Sequence, residues 1–69
     1  MIDRRNAFEA KIKRLGATLA DAYVDHAKRP DGFTREVLSN ATKRFNETCR
    51  ELEDHVIELQ EAGIIRIIK

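Results

Sequence analysis

Tryptophan is absent from these 69 residues, and proline, tyrosine, cysteine, serine and methionine occur once each. Each scarcity removes a class of protein. A single cysteine, Cys49, allows no internal disulfide, so a small cross-linked scaffold is excluded. No run approaches the roughly 18 apolar residues that cross a bilayer. The opening MIDRRNAFEAK lacks the apolar stretch of a secretory signal. The expectation is a cytoplasm-like compartment and no membrane partner. Neither sign of charge dominates, since 13 basic and 12 acidic side chains leave +1. No global field draws the chain to nucleic acid or an anionic surface.

What is present is helical pattern. Apolar residues make up 42% and charged residues 36% of a chain long enough for one small domain. A domain of this size buries only about 60% of its unfolded surface and is marginal alone. The one strong interruption is Arg29-Pro30-Asp31-Gly32. Pro30 bars Arg29 from helical backbone, and Pro-Asp-Gly suits a tight turn. Before it, Phe8, Ile12, Leu15, Leu19, Ala22 and His26 recur at steps of three and four. After it, Leu38, Ala41, Phe45, Cys49, Leu52, Val56 and Leu59 do the same. Each series marks one face of an α-helix. Thr34 is read as the cap of the second helix, with Phe33 and Leu38 as a hydrophobic staple across it. Asp3 is a weaker cap for the first, and Gly63 ends the second.

These signals predict an all-α fold of one domain: an antiparallel, coiled-coil-like two-helix hairpin. Its helices run over about 3–28 and 34–62, with a turn at 29–33 and an extended tail at 63–69. Folding at Pro30 sets Phe8 against Val56, Ile12 against Leu52, Leu15 against Cys49 and His26 against Leu38. Charge agrees with that pairing. Residues 1–14 hold five basic and two acidic side chains, whereas the facing residues 46–62 hold one basic and six acidic.

Two helices share one seam, and several apolar groups lie off it. Within GATLADAYVDHA, Gly16, Ala20, Tyr23, Val24 and Ala27 are expected to face a further helix, because a helix apolar nearly all round is usually covered on more than one side. Ile57 and the terminal Ile64, Ile65, Ile67 and Ile68 join this set. The β-branched run past Gly63 prefers an extended chain, read as a short strand on a symmetry mate or another protein. The expected partner is a second copy, a dimer being favoured, which would complete a four-helix bundle.

Chemistry finds little support in the residues. Cys49 reads as a small core residue with no activating neighbour. His55 has Glu51 four residues before it and Glu58 three after, and it reads as part of a solvated acidic face. No metal, cofactor or catalytic group is expected. The rival reading is nucleic-acid binding through Arg4, Arg5, Lys11 and Arg14, a basic cluster on the first helix able to neutralise phosphates. In size and hairpin plan the chain resembles the Rop-type plasmid copy-number proteins, antiparallel dimers that bind RNA loop pairs. That resemblance implies a dimer of hairpins and assigns no site residue.

Overall fold

A computed structural model describes residues 2–66. It is all-helical, with α1 (Arg5–Lys28) and α2 (Gly32–Glu61) packed on each other as a hairpin. At about 1.5 Å per residue the helices are roughly 36 and 45 Å long. Neither contains an internal proline. No strand forms among the described residues, and Ile67 and Ile68 of the expected tail strand lie outside them.

The turn is tied by one side chain. The first helix ends as Arg29 N–H donates to Asp25 O at 2.9 Å, and Arg29, at φ −144° and ψ 78°, has left the helical region that a following proline disfavours. The cap of α2 is Asp31, not Thr34. Asp31 Oδ1 accepts from Thr34 N–H at 2.8 Å, and Thr34 Oγ1 accepts in return from Asp31 N–H at 3.1 Å. This is a reciprocal capping box, in which two otherwise unpaired backbone donors are satisfied. Phe33 therefore falls inside the first turn of α2 and points to solvent, so the expected staple does not form. Thr34 Oγ1 also donates to Arg29 O at 2.9 Å and meets His26 Nδ1 at 3.0 Å. With the hydroxyl proton directed to Arg29 O, His26 donates.

The seam of α2 also differs from the expected one. The inward positions are Thr34, Leu38, Ala41, Phe45, Thr48, Leu52, His55 and Leu59, a strict alternation of four and three. Thr48 and His55 are each 3% exposed, whereas their neighbours Cys49 and Val56 are only half-buried. Phe8 accordingly packs on His55, one residue before Val56, and His26 meets Thr34, four before Leu38. On α1 the inward series Phe8, Ile12, Leu15, Leu19, Ala22 and His26 is as expected.

The far end of α2 closes as read. Gly63 adopts φ 76°, Gly63 N–H donates to Gln60 O at 3.0 Å and Ile64 N–H to Leu59 O at 2.9 Å. This Schellman closure turns the chain back over Leu59, among the described residues the one large side chain fully removed from solvent. The resulting body measures 49 × 23 × 15 Å. It is a rod one helix layer thick.

Candidate functional site

A two-helix rod has two long sides flanking its seam, and here they differ in chemistry. One side is apolar. Ile12 of α1 and Cys49, Leu52, Val56 and Ile57 of α2 line an open groove of about 550 Å³, with Glu53 its one charged wall. Along α1 the same flank continues through Gly16, Ala20, Tyr23 and Ala27, at helical steps of 4, 4, 3 and 4 from Ile12. Tyr23, Val24, Ala20, Ala27 and Ile57 are exposed. Gly16 is half-buried beside the seam, where a Cβ would meet Phe45 Cε2 at 3.5 Å. Cys49, expected in the core, stands instead at this groove.

The other side is polar. On α2 it is drawn by Val37, Asn40, Arg44, Glu47, Glu51, Asp54 and Glu58, again at alternating steps of three and four. Near the turn, Arg14 and Thr18 of α1 face Asn40 and Arg44 across a groove of about 400 Å³ without an acidic wall. Further along, Lys11 and Arg44 share a groove with Glu47 and Glu51. At the open end Arg4 and Phe8 meet Glu51, Asp54, His55 and Glu58. The complementary charges of the two helices thus lie along one side. Even so, both ion pairs among the described residues are local to the start of the chain: Arg5–Asp3 at 2.7 Å and Lys13–Glu9 at 3.1 Å.

The basic cluster is divided by these contacts. Arg5 is held by both carboxylate oxygens of Asp3, whose Oδ1 also accepts the Arg5 backbone N–H at 3.0 Å. The Arg5 guanidinium and that N–H hold the exposed Asp3 carboxyl down to about 2, and the carboxylate in turn raises Arg5. The Arg4 guanidinium carbon lies 5.6 Å from the centre of the Phe8 ring, within cation–π reach. Lys11 and Arg14 remain exposed on the polar side and are joined there by Arg44 of the other helix. Sequence spacing on α1 alone could not have revealed Arg44, because its place depends on the pairing of the helices.

His55 is a structural anchor rather than part of a solvated face. Its Nε2 accepts the Arg4 backbone N–H at 2.9 Å, and its ring centre lies 5.6 Å from that of Phe8. Accepting at Nε2 places the proton of the neutral ring on Nδ1, which is buried without a partner. A protonated ring would have no lone pair to offer Arg4. His55 thereby ties the segment before α1 to the middle of the last turns of α2. Among the described residues no three His, Cys, Asp or Glu side chains are grouped to hold a metal ion, and no helix is long and apolar enough to cross a membrane. Of the terminal isoleucines, Ile64 is exposed and Ile65 half-buried.

No family model matches the sequence, and comparison with curated proteins and with solved structures finds no match.

Proposed function

We propose that the chain is a non-enzymatic assembly module, a helical hairpin that completes a bundle by self-association, a dimer being the favoured form. The supporting observation is surface. The exposed area is 5696 Å², about 1,200 Å² more than the roughly 4,500 Å² of a compact monomer of 8.0 kDa. The radius of gyration, 15.7 Å, compares with roughly 11 Å for a compact 69-residue domain. Among the described residues only Ala22, Ala41 and Leu59 are buried apolar residues. A core this thin supports a cooperative fold poorly, and a standard interface covers about 800 Å² on each partner. The coiled-coil-like seam, a cytoplasm-like setting and an extended tail laid on the partner belong to the same reading. Sedimentation equilibrium over a dilution series tests it. Mass should fall on dilution from a multiple of 8.0 kDa toward one chain. A folded monomer at all concentrations would end the proposal.

A second reading rests on the acid-free groove of Arg14, Thr18, Asn40 and Arg44. With Lys11 beside it, this is a basic patch drawn from both helices, suited to a nucleic-acid backbone. Its test is a salt-dependent mobility shift of RNA or DNA by the wild-type chain, abolished when Lys11, Arg14 and Arg44 are all changed to alanine. No shift at low salt would remove it.

A further inference from the structure

We infer that the apolar side of the rod, centred on the groove between Ile12, Cys49, Val56 and Ile57, is the face on which a second copy of this chain sits. The inference rests on the assembly reading and adds to it the face and the occupant. The two sides compete for that role, and their chemistry decides between them. Covering the polar side would desolvate Lys11, Arg44, Glu47 and Glu51, none of which has an ion-pair partner within 4 Å among the described residues. Unpaired charges are costly to remove from water. Covering the groove on the other side desolvates one carboxylate, Glu53, and otherwise the apolar surface of Ile12, Leu52, Val56 and Ile57 beside the Cys49 thiol, a favourable transfer proportional to area.

Several features select a copy of the chain as occupant. The apolar flank runs along most of the rod, from Ile57 at the open end to Ala27 near the turn, so a matching partner must be a rod of similar length. A second hairpin is one. The rod is 15 Å thick, and one further layer of the same kind gives the four-helix section in which each helix has two neighbours. The net charge of +1 leaves almost no repulsion between copies. A two-fold arrangement covers both apolar sides at once, so neither copy keeps an open face. The surface excess of about 1,200 Å² per chain is sufficient for such an interface. Gly16 and Ala20, small and on the same flank, allow the backbones to approach.

Cys49 gives a readout that needs no mutation. Its thiol lines the groove, so its reaction with a maleimide should slow at least fivefold between concentrations at which sedimentation shows monomer and dimer. Ile57→Glu and Val37→Glu form the matched pair of variants, since both residues are exposed and they lie on opposite sides. Ile57→Glu should raise the dimer dissociation constant more than tenfold, and Val37→Glu should change it less than threefold. A dimer whose Cys49 reacts equally fast at all concentrations overturns this face while leaving assembly intact. So does a dimer weakened by Val37→Glu and not by Ile57→Glu. A chain that never associates removes the assembly reading itself.

Discussion

Gly16 has no side chain, and Phe45 Cε2 lies 3.5 Å from where one would begin. That distance is ordinary contact, so alanine fits without displacing the ring. Glycine inside a helix is less favourable than alanine by roughly 0.5–1 kcal/mol, chiefly through unfolded-chain entropy. Gly16→Ala should therefore stabilise the hairpin by about that amount, read as a raised urea midpoint at concentrations below dimerisation. A loss at high concentration alone would show that the methyl obstructs a neighbour outside the hairpin. Asp3 governs a pH effect at the same scale. Its carboxyl is held down to about 2 from 3.8. Its folded-state pKa lies below the unfolded one, so its contribution is complete above 3.8 and is lost as pH falls toward 2. The protection of the Arg5 amide against exchange, taken relative to an unstructured peptide at the same pH, should fall across that window, and Asp3→Asn should remove the step. An unchanged profile in Asp3→Asn would refute the assignment. The pair lies at the surface, so the effect is local fraying rather than loss of the fold.

At the scale of elements, the turn between α1 and α2 depends on Thr34. Its hydroxyl accepts from Asp31 N–H, donates to Arg29 O and meets His26, joining the end of one helix to the start of the next. Thr34→Val keeps the shape and the Asp31 cap but removes all three contacts. About 1–2 kcal/mol should be lost, lowering the midpoint by roughly 4–16 °C for a domain of this size. Asp31→Ala, which removes the cap acceptor, should cost about 1 kcal/mol. A Thr34→Val midpoint within a degree of wild type would refute this account. Helix existence, the break at Pro30 and the glycine stop were legible because each has a local cause. The cap was misplaced because Asp31 and Thr34 are both good cap residues, and only the three-residue spacing between them shows that they act together. The seam was misplaced for a different reason. Hydrophobicity favours Cys49 and Val56, but strict alternation of four and three favours Thr48 and His55, and packing geometry follows the alternation. His55 can occupy an inward position because the Arg4 N–H satisfies its Nε2, a bond between residues 51 apart that no local pattern announces.

For the whole molecule, the C-terminal isoleucines divide into two tasks. Ile64 belongs to the hairpin, because its N–H closes α2 on Leu59 O while Gly63 supplies the left-handed turn. Beyond it, Ile65 is half-buried, and Ile67 and Ile68 lie outside the described residues. Ile57 lies six residues before Gly63, so the proposed partner on the apolar flank would sit close to where the tail begins. Truncation after Ile64 separates the two tasks, since the cap and its hydrogen bonds survive. The shortened chain should retain most of its helical circular dichroism signal at high concentration, while its dimer dissociation constant rises about tenfold, the equivalent of roughly 1.4 kcal/mol. Truncation after Ala62, which also removes the cap, should lower helicity as well. If the first truncation associates as tightly as the full chain, the tail covers only its own hairpin. The interface is then confined to the helical flank, whose test through Cys49 and Ile57 is unaffected.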